Sequence, residues 1–261
     1  MKFIPYPLAL GHFLLLVFTL MACQAQPVAD QKSPNLTQND TPSNIHDARI
    51  TAYICDPTKV EIKGYWKAQN GNRYGNIGQL KQALETSGER LLFATNGGMF
   101  KDGPDPLGLY IEDGTQLEPM NTTEKAFGNF YLQPNGVFYV TEDHQAVVVS
   151  RYQFKDPGTI QFATQSGPML LIDGEYHPIL NPDSESLYIR NGVGILPDGK
   201  VLFALSTERL TFYEFATFFK EKGCQNALYL DGFVSKAYIP EKGLEQLNGQ
   251  LGILIGVTVK D

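Results

Sequence analysis

The sequence predicts an α+β domain: a mixed, mostly antiparallel β-sheet core with two main helices. Three observations carry this. Apolar runs are short and are punctuated by many turn formers, with 25 Gly and 16 Pro in 261 residues, and aromatics make up 11%. Only two stretches repeat apolar residues at helical spacing, around residues 77–87 and 212–222. The strand-like runs, about ten of them, do not alternate with helices, which excludes a doubly wound parallel sheet.

Residues 49–55 and 59–66 alternate in polarity and are split by Asp56-Pro57, so they predict a hairpin. Ile77, Leu80 and Leu84 share one face, and Gly88 supplies the C-terminal stop of the first helix. Residues 91–95 form a short apolar strand that runs into Asn96-Gly97-Gly98. Strands are expected at 107–112, 129–133 and 137–141, with Pro134-Asn135-Gly136 as a hairpin turn between the last two. Further strands fit 146–150, 159–164, 168–173, 188–195 and 201–206. Thr211-x-x-Glu214 is a capping box that opens the second helix. Its apolar face is Phe212, Phe215, Ala216 and Phe219, widened by Phe218, and Gly223 closes it. These aromatics read as core. Strands at 226–230 and 251–260 complete the domain.

The N-terminus reads as an export signal, residues 1–22. Lys2 gives a positive start and residues 8–21 are nearly all apolar, too short for a comfortable membrane span. The run ends at Leu20-Met21-Ala22-Cys23, which resembles a lipoprotein box with Cys23 as the lipidated residue; cleavage after Ala25 is the alternative. Residues 23–47 lack apolar periodicity and read as a disordered tether. The globular domain then spans 48–261, a length suited to one core. The expected location is the cell envelope, anchored by lipid in the outer membrane, or else free secretion. Cys55 and Cys224 are either a disulfide or two buried thiols, and the spacing favours neither.

Charge and motif searches exclude several classes. Lys+Arg 21 against Asp+Glu 28 gives −7, with no basic stripe for nucleic acid. The run from Gly194 to Lys200 has P-loop spacing, but Val201 stands where a magnesium-binding hydroxyl belongs, and Pro197-Asp198-Gly199 is a turn. No Gly-x-Ser-x-Gly elbow occurs. His144 and His177 show no metal-ligand spacing, and Asp102 and Asp105 sit in a Gly/Pro turn. No metal or cofactor is expected.

Four glycine-flanked segments lie just beyond expected strand ends: Asn96-Gly97-Gly98, Ser166-Gly167, Arg190-Asn191-Gly192 and Asp231-Gly232. Each alone is an ordinary turn. Together they offer a guanidinium, a carboxylate and neutral hydrogen-bonding groups, a set suited to an oxyanionic sugar ligand.

The ordered blocks Asn96-Gly97-Gly98-Met99-Phe100, Pro106-Leu107-Gly108-Leu109-Tyr110, Gly128-Asn129-Phe130, Gln165-Ser166-Gly167-Pro168-Met169, Arg190-Asn191-Gly192-Val193-Gly194 and Ala227-Leu228-Tyr229-Leu230-Asp231-Gly232 resemble the phosphodiester glycosidase family. The resemblance covers the domain from about Ile50 onward. It implies an envelope hydrolase that cleaves a glycosyl phosphodiester, with a carbohydrate or sugar-phosphate ligand. It also implies Asp231, Asn96 and Arg190 as catalytic residues. Here Asp231 is the base or nucleophile and Arg190 holds the phosphate through its planar fork. Asn96 and Ser166 bind sugar or phosphate oxygens, helped by the amides of Gly97, Gly98 and Gly167. Asn191, Gly232 and Ser235 flank them. The chain departs from the family pattern in one place: Phe233 stands where active members have a second Gly after Asp-Gly. A non-catalytic lipoprotein that binds a glycan or phosphosugar is therefore the competing expectation.

Overall fold

The computed structural model describes residues 47–101, 103, 105–232 and 234–260. The signal, Cys23, the tether up to residue 46, Asp102 and Phe233 lie outside the described residues. The strands are β1 Ile50–Cys55, β2 Glu61–Tyr65, β3 Glu89–Asn96, β4 Tyr110–Glu112, β5 Thr115–Glu118, β6 Gly136–Thr141, β7 Ala146–Ser150 and β8 Ile160–Ser166. They continue as β9 Met169–Ile172, β10 Glu175–Tyr176, β11 Asn191–Ile195, β12 Val201–Ser206, β13 Ala227–Tyr229, β14 Ala237–Ile239, β15 Leu244–Glu245 and β16 Leu254–Lys260. The helices are α1 Ile77–Thr86 and α2 Phe212–Glu221.

These strands form three sheets, ordered β1-β12-β11-β13-β9-β10, β15-β14-β3-β16-β2 and β5-β4-β8-β6-β7. Every pairing is antiparallel. The α+β expectation holds. The sheets meet on one aromatic core: Tyr53, Phe93 and Phe203 stack at 4.7 Å centroid spacing, and Phe138 meets Phe162 and Phe203 edge-on. Such buried rings contribute area and pair geometry together.

Both helices form for the reasons their sequences offer. The Asn76 side chain caps α1 by accepting from the Gln79 amide at 2.8 Å, and Ile77, Leu80 and Leu84 are buried. In α2 the capping box closes, Glu214 N donating to Thr211 Oγ1 at 3.1 Å and Thr211 N to Glu214 Oε2 at 2.9 Å. Phe215, Ala216, Phe218 and Phe219 are buried beneath it. The β11–β12 hairpin turns where expected, with Leu196 N donating to Lys200 O and Gly199 at φ 83°.

Two expectations are corrected. The 49–66 segment is not a hairpin: β1 pairs with β12 and β2 with β16, in different sheets. The Asp56 turn forms, but turn chemistry fixes a reversal and not the partner of the strands it joins. Residues 129–133 are not a strand; Asn129–Tyr131 is a 3-10 turn entered from Gly128 at φ 110°, so Pro134-Asn135-Gly136 joins no hairpin. Cys55 and Cys224 are free, buried thiols in separate core clusters, and burial pushes each up to about 12. Of the two readings the sequence left open, the structure has the buried thiols.

Candidate active site

Four chain-distant segments are tied together where strands end. β3 ends at Asn96, β8 at Ser166 and β13 at Tyr229, while β11 begins at Asn191. Asn191 Nδ2 donates to Thr95 Oγ1 at 3.0 Å and to Asn96 O at 2.9 Å. Leu230 N donates to Asn191 O at 2.8 Å, and Asp231 N to Gly97 O at 3.3 Å. Tyr229 N reaches Pro168 O at 3.1 Å, which brings the Ser166-Gly167-Pro168 turn against the same strand end. Asn96, Ser166, Arg190 and Asn191 are all buried, and Asp231 is half-buried.

Asn96 anchors the segment that carries the carboxylate. Its Nδ2 donates to the Asp231 carbonyl, and its Oδ1 accepts from Lys236 N at 3.0 Å. Ser235 Oγ adds a bond to the Asp231 carbonyl at 3.1 Å. The Asn96 amide thus faces backbone at both ends and ties the 231–236 segment to the end of β3.

Arg190 is 1% exposed. Its Nε donates to Leu210 O at 2.9 Å, one Nη to Ser186 O at 2.8 Å, and the guanidinium lies 3.8 Å over the Phe212 ring. Burial lowers its pKa, a change that the neighbouring Tyr229 opposes. A guanidinium so placed stays charged. Burial raises the Tyr229 phenol, Arg190 opposes that shift, and Asp231 reinforces it. The Tyr229 hydroxyl also faces the Gly232 amide. One phenol therefore stands between the cation and the Asp231-Gly232 turn. Sequence reading gave Tyr229 no role, although it lies two residues before Asp231 in the block that pointed to the family.

The glycines serve close approach. Gly97, Gly98, Gly167 and Gly232 are absent from the positive-φ positions. A Cβ on Gly98 would fall onto Thr164 Oγ1 and 2.7 Å from Gln165 O; one on Gly167 would stand 2.6 Å from Asn135 Cβ. On Gly232 it would meet the Tyr229 hydroxyl and, at 2.7 Å, Ile189 O. The Gly97 amide is engaged with Ile253 O at 2.9 Å, while those of Gly98 and Gly167 make no hydrogen bond among the described residues. Ser166 Oγ and Thr164 Oγ1, two residues apart on β8 and so on one face, are buried without a hydrogen-bond partner among the described residues. Orphaned buried hydroxyls are uncommon, and they mark places where a water or ligand completes the bonding. Gln165 between them is a hub: its Oε1 accepts from Leu109 N and Asn121 N, and its Nε2 donates to Asn121 O and Asn135 Oδ1. Among the described residues no cluster of His, Cys, Asp and Glu is arranged to hold a metal.

A family model described as phosphodiester glycosidase matches residues 89–251, the stretch that contains all four segments. The uncharacterized protein YigE of Escherichia coli K12 is 40% identical over 191 residues, which cover 73% of this chain and 74% of that protein. The catalytic domain of zebrafish N-acetylglucosamine-1-phosphodiester alpha-N-acetylglucosaminidase, auto-inhibited by its pro-peptide, shares the fold. Its TM-score is 0.52 and its identity 16%, over 80% of this chain and 82% of that one. A hypothetical protein from Synechocystis shares it at TM-score 0.50 and 14% identity, over 80% and 59%.

Proposed function

The chain belongs to the phosphodiester glycosidase family, and from that premise we propose that it hydrolyses a glycosyl phosphodiester in an envelope or extracellular glycan. Water adds across the bond between the anomeric carbon and a phosphate oxygen, giving a free sugar and a phosphate monoester. A phosphate monoester leaves far more readily than a sugar alkoxide, so the demand for a strong general acid is smaller than in ordinary two-carboxylate glycosidases.

In this reading Asp231 acts at the anomeric carbon as base or nucleophile. Arg190 supplies the positive potential that favours the departing phosphate. Its Nε and one Nη already bond carbonyls, so it acts largely across the Tyr229 hydroxyl. Ser166 and the amides of Gly98 and Gly167 are the donors offered to phosphate or sugar oxygens, and Asn96, Asn191 and Ser235 hold the frame. The observation that carries the proposal is the set of bonds from Asn96 and Asn191 that closes the 96, 191 and 231 segments into one cluster, with the Tyr229 N–Pro168 O bond bringing the fourth against it.

Export and lipid attachment at Cys23 belong to the same proposal, supported by the apolar run before Leu20-Met21-Ala22-Cys23. Palmitate labelling of the wild type and its loss in Cys23→Ser is the expected result.

The decisive assay uses an α-N-acetylglucosaminyl phosphodiester, the class named in the zebrafish protein. Free sugar and phosphate monoester should appear together, and Asp231→Asn should lower kcat by about 10²–10⁴-fold. Binding without turnover by the wild type would favour the non-catalytic glycan-binding reading.

A further inference from the structure

A cleft of about 730 Å³ opens between the 67–74 loop, α1 and the β4–β5 turn. That volume lies within the roughly 300–1,000 Å³ of small-molecule sites. A second hollow of about 240 Å³ shares Lys63, Gly64 and Asp113 with it and so adjoins it. None of the lining residues belongs to the Asp231 cluster.

We propose that this cleft binds an uncharged oligosaccharide, independently of the hydrolytic site. Charge argues first. The larger cleft carries Lys63 and Lys67 against Glu89, Glu112 and Asp113, so neither sign dominates. Several of these charges already have partners. Lys67 Nζ sits 3.5 Å from the Trp66 ring centroid, and Glu112 accepts from Trp66 N at 3.1 Å and from the Tyr110 hydroxyl. An anionic or strongly cationic ligand gains little here.

Hydrogen-bonding capacity argues second. The side-chain amides of Gln69, Gln79 and Gln82 line the cleft, are exposed, and make no hydrogen bond among the described residues. An amide offers a donor and an acceptor side by side, which matches a hydroxyl that both donates and accepts. Tyr74 adds a fixed ring, set edge-on to Tyr65 at 5.9 Å and 87°. The loop that carries it is already ordered: Ala68 N bonds Asn72 O, Gly71 N bonds Ala68 O, and Arg73 pairs with Asp105 at 2.7 Å. A preformed wall lowers the ordering cost of binding. A volume of about 730 Å³ has room for more than one sugar ring.

The test is titration of the isotope-labelled protein with chitotetraose and with maltotetraose, read by amide chemical shifts. Either sugar at millimolar concentration should move signals within 65–74 and 79–87, with Asp231→Asn binding as the wild type does. Gln79→Ala/Gln82→Ala lies on the exposed face of α1 and should weaken binding about tenfold. Tyr74→Ala should abolish it; Tyr74→Phe keeps the ring and should restore most of the affinity should the alanine variant fold poorly. Absence of binding by both sugars would overturn the proposal. So would shifts confined to the Asp231 cluster, or equal affinity in the glutamine double variant.

Discussion

Asn96 donates a side-chain hydrogen bond to the backbone carbonyl of Asp231, 135 residues further along the chain. The other end of the same amide accepts from Lys236 N at 3.0 Å, so one buried side chain holds both ends of the 231–236 segment. Asn96→Ala should strand a donor and an acceptor at about 1–3 kcal/mol of stability. Asn96→Asp should cost more, because a carboxylate oxygen would face the Asp231 carbonyl. Urea unfolding of the three proteins measures both. Equal stability of the alanine variant and the wild type would remove the anchoring role.

Tyr229→Phe separates the site's electrostatics from its packing. The ring stays against Phe212, with which it makes an edge contact at 4.7 Å, while the hydroxyl that faces Arg190 and Gly232 is lost. Phosphodiester hydrolysis should fall about 10- to 100-fold with a change in stability of about 1 kcal/mol or less. Full retained turnover would show that the phenol does not relay the influence of Arg190.

Gly98→Ala tests close approach in isolation, since Gly98 is not at positive φ. The added methyl would overlap Thr164 Oγ1 and press on Gln165 O at 2.7 Å. The expected cost is about 1–3 kcal/mol, with loss of activity as the Gly97-Gly98 segment is pushed away from β8. Adding Thr164→Ala should recover part of that cost but not all, because the Gln165 carbonyl remains. A double-mutant cycle in thermal unfolding shows the coupling; strict additivity would refute the contact.

Glu112 gives a pH signature. Burial raises its pKa above the ordinary 4.5, against the opposing bonds from Tyr110 and Trp66. The folded protein therefore keeps a proton on Glu112 where the unfolded chain has already lost it. Native Glu112 binds more protons through that window, so its contribution to stability falls as pH rises from 4.5 through the raised value. Glu112→Gln removes the titration, and its Tm relative to wild type should climb from pH 4.5 towards neutrality. A constant difference would contradict the assignment.

Much of the fold was legible in local pattern. Ile77, Leu80 and Leu84 repeat at helical spacing, and Thr211 with Glu214 makes its own cap, because both signals act within a few residues. Pro197-Asp198-Gly199 likewise turned the β11–β12 hairpin from local chemistry alone. The blocks around Asn96, Ser166, Arg190 and Asp231 also identified the family from sequence. Tertiary structure decided which strand pairs with which. β1 and β2 are adjacent in the chain yet join different sheets, because a turn sets direction while partner choice depends on distant apolar surfaces. It also decided what the site residues touch. The Asn96 amide became an anchor and the Arg190 guanidinium was enclosed against Phe212 with Tyr229 beside it; hydrogen bonds and burial between residues far apart in sequence leave no trace in the spacing of either one.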